Sequence, residues 1–310
     1  MTHVFLPYSP DILPDLVAVH SSYASHINQH PTFPVSHWES IFLKSEVDPR
    51  RDIFISAENK SVTGFSWIYS RENSNRVILR GPYIDPINEN VKALLEAHLD
   101  AVFSRVKRMP LDFLQMRSFL PDWDAVYEKK GLEYRGSYAR MKLFPLKGDL
   151  ARAEIPGGGK IRKWKNDQDL TLIHKMFVSI FKEHWDFETP SMDDWRSVLK
   201  SGNFNDDLVL IAEQNGDSVG YSFGDILGSS IEDKFPSGYL ISIGVLKSAR
   251  RLGWGRAILS RWLTEVYGAK IKSVELDVDT SNESAIRLYE SYGFKTIRTE
   301  KVWSRSLDRV

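Results

Sequence analysis

Apolar positions in the second half of the chain alternate between two periods. From Asp169 to Phe181, Leu172, Ile173, Met176, Phe177 and Ile180 recur at helical spacing. Leu208–Ala212 and Val219–Ile226 read as strands around an Asn215-Gly216 hairpin turn, and Tyr239–Val245 as a buried strand. Trp254, Ala257, Ile258, Trp262 and Val266 mark a helix, with Gly268 expected as its left-handed cap. Val274–Val278 alternates as a strand. Asn282 is placed to cap a helix carrying Ala285, Ile286, Leu288, Tyr289 and Tyr292, which Gly293 ends. A strand that feeds a helix and returns to a strand predicts a parallel crossover inside a mixed sheet.

The first half repeats this order. Trp38-Glu39-Ser40 returns as Trp195-Arg196-Ser197, and Ile55-Ser56-Ala57-Glu58-Asn59 with Gly64 returns as Leu210-Ile211-Ala212-Glu213-Gln214 with Gly220. Tyr127-Glu128-Lys129-Lys130-Gly131-Leu132 returns as Tyr289-Glu290-Ser291-Tyr292-Gly293-Phe294. Three matches in one order, at nearly constant offset, indicate a tandem duplication. Two domains are therefore expected, 1–147 and 160–310, separated where Ile155-Pro156-Gly157-Gly158-Gly159 breaks any regular pattern. Each should be α/β (α+β), a mixed, mostly antiparallel sheet flanked by helices.

Composition narrows the chemistry. Lys+Arg 41 against Asp+Glu 41 leaves net charge +0, so no global field favours nucleic acid or an anionic membrane. The local cluster Lys160, Arg162, Lys163 and Lys165 reads as a solvated strand edge. With Cys 0, disulfides, thiolate metal sites and cysteine nucleophiles are excluded, and no metal site is expected. No signal peptide or membrane-length apolar run is evident, so a cytoplasmic protein, monomer or homodimer, is the expectation.

The junction between Val245 and Arg256 is the chemical centre. A strand ends, a polar loop follows, and a helix opens at two glycines. Such a helix start offers unpaired N–H groups and partial positive charge to a phosphate. Gly253 and Gly255 allow close backbone approach, and Arg250, Arg251 and Arg256 add cationic donors. A solvated basic turn is the plain alternative. A nicotinamide site is a third, since Glu275 follows Gly255 at a suitable distance. Against it, Ile258 occupies the third glycine position, where a large side chain would block helix–strand packing.

Val245–Gly255, followed by Leu276–Phe294, resembles the paired motifs of the GNAT N-acetyltransferase superfamily. The tandem arrangement is similar to that of mycothiol synthase and its relatives, which pair a degenerate N-terminal copy with an active C-terminal one. The resemblance implies two tandem GNAT-like domains, with acetyl-CoA as co-substrate and a small-molecule amine as acceptor. It implies that Val245, Arg250, Arg251, Gly253, Trp254, Gly255, Arg256 and Asn282 meet the coenzyme, and that Tyr289 protonates the leaving thiolate. Asn282 is equally a helix cap, and Tyr289 equally an aromatic core residue.

The base is less distinct. Where mycothiol-synthase-like enzymes carry a carboxylate at the start of this strand, Tyr239 stands instead, leaving Asp225, Glu183 and His184 as candidates. Oxyanion donors are expected near Gly244 and Val245. Trp185, Phe187 and Trp195 could wall an amine pocket or pack a helix on the sheet, as Phe33 and Trp38 would in the first half. That half has Asp85 and Glu89 where the arginine–glycine loop should be, so it is expected to lack coenzyme binding, to buttress the active half and to help wall the acceptor site. His98 reads as a core histidine. Two alternatives are a Fem-type aminoacyl or peptidyl transferase, and a non-catalytic acyl-CoA sensor.

Overall fold

The computed structural model describes residues 4–27, 35–42, 47–59, 61–70, 74–148, 152–200, 205–227 and 236–307; Phe33 lies outside them. Contacts divide the chain into Met1–Tyr138 with Arg298–Val310, and Ala139–Ile297. The first unit runs through β1 (Val4–Leu6), α1 (Leu13–His26), α2 (Val35–Phe42), α3 (Pro49–Asp52), β2 (Ile53–Glu58), β3 (Ser61–Ser70) and β4 (Arg76–Ile84). It continues with α4 (Val91–Val106), β5 (Phe113–Ser118), α5 (Asp124–Lys129) and the start of β6 (Glu133–Leu143). The second unit holds the rest of β6, then β7 (Gly159–Lys163), α6 (Asp167–Phe181), α7 (Met192–Lys200), β8 (Val209–Gln214), β9 (Asp217–Leu227) and β10 (Ser237–Val245). It ends with α8 (Trp254–Gly268), β11 (Val274–Asp279), α9 (Glu283–Glu290) and the first residues of β12 (Lys295–Ser306).

The two copies exchange their last strands. In the first unit the sheet order is β1-β2-β3-β4-β5-β12, with Lys301–Ser306 antiparallel to Ser118–Phe113. In the second it is β6-β11-β10-β9-β8-β7, completed by the end of β6. The division therefore cuts β6 after Tyr138 and β12 after Ile297, whereas the composition break lies at Pro156–Gly159.

Within the second unit the predicted hairpin is present, with Asn215 at φ 53 and Gly216 at φ 92 joining β8 to β9. Both positive φ values are what a type I′ turn demands. β10 and β11 run parallel, as a crossover through α8 requires. One expectation fails at the end of α8. Gly268 stays helical, and the left-handed residue is Lys270 at φ 64. The reason is the closing bond: Ile271 N–H reaches back to Val266 O at 3.3 Å, and both side chains are buried, so the helix ends on that apolar contact.

Alternation along the strands gives this sheet two unlike faces. α8 lies so close to one that a Cβ on Gly224 would come within 2.5 Å of the Trp262 ring. Leu240, Leu276 and Val278 pack there with Trp262, Tyr289 and Phe294. Tyr221 and Phe223 pack on the other face with Ile173 and Met176 of α6 and with Trp195 of α7. Asp225, two residues on from Phe223, belongs to that second face.

Candidate active site

β10 and β11 are paired only from Gly238 to Leu240 against Val274 to Leu276. On its other edge, β10 shifts register against β9 between Leu240 and Ser242. Such a bulge bends its strand, so beyond Leu240 the two parallel strands part. Leu246 N–H donates to Val219 O at 2.9 Å on the β9 side. Alternation then turns the N–H and C=O of Val245 into the gap and those of Gly244 toward β9, so only Val245 of the two offers a donor there.

The loop at the mouth of the gap has the geometry of a phosphate cradle. Arg251 adopts φ 64 and Gly253 φ 95, turning the chain sharply into α8. Gly253 is the N-cap and supplies no side-chain acceptor to the first-turn amides. A Cβ on Gly255 would touch only Leu288, at 3.6 Å, so the space over this backbone is open. Arg250 donates from Nε to Val245 O at 3.2 Å, and Arg256 lies 5.7 Å over the Tyr292 ring. Three exposed guanidinium groups with uncapped amides suit a pyrophosphate. Trp254 differs: its side chain is buried and donates from Nε1 to Gln214 at 3.3 Å, leaving only its backbone for a ligand.

Residues 170–294, all within the second unit, match the model of the acetyltransferase (GNAT) family. The second unit thus resembles the GNAT acetyltransferases in sequence over most of its length. A mycothiol acetyltransferase of Acidothermus cellulolyticus is 27% identical over 195 residues, 60% of this chain and 59% of that protein. An N-alpha-acetyltransferase of Sulfurisphaera tokodaii is 40% identical over 97 residues, 29% of this chain and 57% of its own length. The chain thus spans less than two thirds of these curated relatives. In fold, both units together are similar to a GCN5-related N-acetyltransferase from Sphaerobacter thermophilus, with TM-score 0.79 at 16% identity over 98% of this chain and 96% of that one. A tandem GNAT protein from the clavulanic acid biosynthesis pathway is similar at TM-score 0.69 and 12% identity over 99% of both chains.

In this unit Tyr289 is 5% exposed, and its hydroxyl has no hydrogen-bond partner among the described residues. Burial alone pushes that hydroxyl well above the usual tyrosine range, so it carries its proton at neutral pH. Asn282 caps α9, accepting from Ala285 N–H at 3.1 Å and Ser284 Oγ at 3.0 Å. Its exposed amide nitrogen is left for other work.

The base candidates separate. His184 donates from Nε2 to Asp279 Oδ2 at 2.9 Å, while Nδ1 accepts Asp186 N–H at 3.1 Å. In that tautomer neither nitrogen has a free lone pair, so His184 as arranged is a fastener rather than a base. Asp225 is the register partner of Tyr239, beside the bulge. Its Oδ1 accepts Asn205 N–H at 3.3 Å and Ile226 N–H at 2.7 Å, and burial raises its carboxyl above the usual range despite these bonds. Trp195 and Phe187 pack on Phe177, at 5.4 and 5.9 Å, so these two serve the core. Trp185 instead reaches Asp279 through its indole N–H at 2.8 Å.

Two carboxylates here escaped the sequence reading. Asp277 accepts the Tyr239 hydroxyl at 2.7 Å and a forked pair of bonds from Arg140, so a carboxylate of the neighbouring strand lies against Tyr239 and is already paired. Asp279 is the second. The signal was present as Glu275, Asp277 and Asp279 alternating with Val274, Leu276 and Val278. The basic cluster proves to be paired: Arg162 holds Asp169 and Glu213, and Lys163 holds Asp207 and Glu265. Among the described residues no group of acidic or histidine side chains is arranged for a metal, and no helix is long and apolar enough to cross a membrane.

Proposed function

We propose that the second unit moves an acetyl group from acetyl-CoA to a primary amine of a small molecule by direct transfer, in the cytoplasm and without a metal. The observation that carries this is the parted β10–β11 pair, with an uncapped, arginine-ringed helix start at its mouth and an unpartnered buried tyrosine hydroxyl nearby. Backbone N–H groups from Arg251 to Arg256 hold the pyrophosphate, and the Asn282 amide meets the pantetheine arm. Val245 N–H offers a donor to the oxygen that gains charge as the amine attacks. Asp225 takes the amine proton, directly or through a water, its raised basicity bringing it nearer the working pH. Tyr289 then gives its proton to the departing thiolate, which becomes coenzyme A thiol.

The names of the relatives, a mycothiol acetyltransferase and an N-alpha-acetyltransferase, shape the acceptor search. A thiol-release assay with acetyl-CoA against amino sugars, amino acids, aminoglycosides and short peptides tests the reading. Turnover on one acceptor class is expected. Tight acetyl-CoA binding with no turnover across the panel would leave a sensor.

A further inference from the structure

Asp279 ends β11 with its side chain 9% exposed, and its two carboxylate oxygens serve different segments. Oδ1 accepts the N–H and the hydroxyl of Ser281, both at 2.8 Å, while the backbone oxygen accepts Asn282 N–H at 2.9 Å. These bonds shape the turn that starts α9, the helix carrying Tyr289. Oδ2 accepts His184 Nε2–H at 2.9 Å and the Trp185 indole N–H at 2.8 Å, both from the loop after α6. Burial works to raise this carboxyl, but the Ser281 and Trp185 bonds more than offset it and hold the group below the usual range. The fastening is thus made by a carboxylate, whose bonds are the stronger kind. The equivalent strand end in the first unit is Ser118, a side chain unable to join two segments in this way.

We propose that Asp279 is a positioning residue, tying the His184–Trp185 loop to the turn into α9 at the open end of the β10–β11 gap and so setting where the acceptor meets Tyr289. The kinetic part rests on the acetyl-transfer reading; the fastening does not. Asp279→Asn is the decisive variant, because one end of an amide is a donor and must face N–H groups of one segment or the other. In the full-length chain, hydrogen exchange should quicken in 182–187 or in 280–284. The kcat/KM for the amine should fall roughly 30-fold, as a misplaced reactant implies, with the Kd for coenzyme A changed less than about threefold. Trp185→Phe, which keeps the ring and loses one donor, should show a smaller loss, and the double variant should lose less than the sum of the singles.

Unchanged exchange in both segments overturns the fastening, whatever the enzyme's substrate. An amine kcat/KM within twofold of wild type, or a coenzyme Kd weakened as much as kcat/KM, overturns the positioning role. If wild type turns over no amine, the acetyl-transfer reading fails while the exchange result still decides the fastening. Should Asp279→Asn not fold, His184→Ala and Trp185→Phe carry the same measurements.

Discussion

The same construction appears twice with different contents. In the first unit β4 and β5 are paired in parallel only as far as Leu79 and Met116, and just beyond, between Arg80 and Tyr83, β4 shifts register against β3. The second unit repeats this with β10 and β11. Both follow with a short helix closed alike: Leu132 N–H reaches Tyr127 O at 3.0 Å across Gly131, and Phe294 N–H reaches Tyr289 O at 3.2 Å across Gly293. What differs is the lining. Where α8 begins with arginines and open amides, the approach to α4 carries Asp85, which accepts Ile87 N–H at 3.1 Å and Ser22 Oγ at 2.8 Å. An anion there would meet carboxylate. Burial raises the Tyr127 hydroxyl as it does that of Tyr289, but Ser118 lies beside it and opposes the shift. Backbone geometry and charge are therefore separable inheritances of one duplication.

The sharpest way to break this comparison is to treat the two tyrosines alike. Tyr289→Phe should lower kcat about 100-fold or more while sparing coenzyme binding, as loss of an acid does, and Tyr127→Phe should leave kcat within twofold. Equal losses in a steady-state assay would mean the first copy is not degenerate. Next, calorimetric titration should find one coenzyme A site per chain, and Arg250→Ala with Arg251→Ala should weaken it at least about tenfold by removing charge-assisted contacts. Two sites would sink the contrast between loops.

Asp225→Asn should separate activity from stability. Its folded carboxyl is raised, so burying the charged form costs stability at neutral pH, a cost relieved as pH falls through the raised value. The variant should therefore melt no lower than wild type at pH 7 and lose most of its kcat. In wild type the acid limb of kcat/KM should rise through that raised value, and this limb should vanish in the variant. The smallest effect concerns what the copies share. Gly131 and Gly293 sit at φ 75 and φ 92 with no atom nearer than 3.5 Å to an added Cβ. Replacing either by alanine should cost about 1 kcal/mol in denaturant unfolding, from backbone conformation alone.

Legibility followed the range of the interaction. The hairpin at Asn215-Gly216, the Arg250–Gly255 loop and the repeated Tyr-to-Gly closure are local, and each could be read from a few neighbouring residues. The partners of Asp279 could not, because His184 and Trp185 lie 95 and 94 positions away and nothing in their spacing points to β11. The partner of Tyr239 was equally out of reach, because Asp277 comes from the next strand. Lys270 displaced Gly268 as the helix stop because the Val266–Ile271 contact, not the glycine, decides where the turn closes. The exchanged strands left no trace at all, since pairing across the length of the chain alters neither period nor composition.

That exchange sets a timetable for biosynthesis. The first unit's β5 receives its outer neighbour only from Lys301–Ser306, so the half that leaves the ribosome first is the half completed last. Until then β5 presents an unpaired edge able to capture strands from another nascent chain.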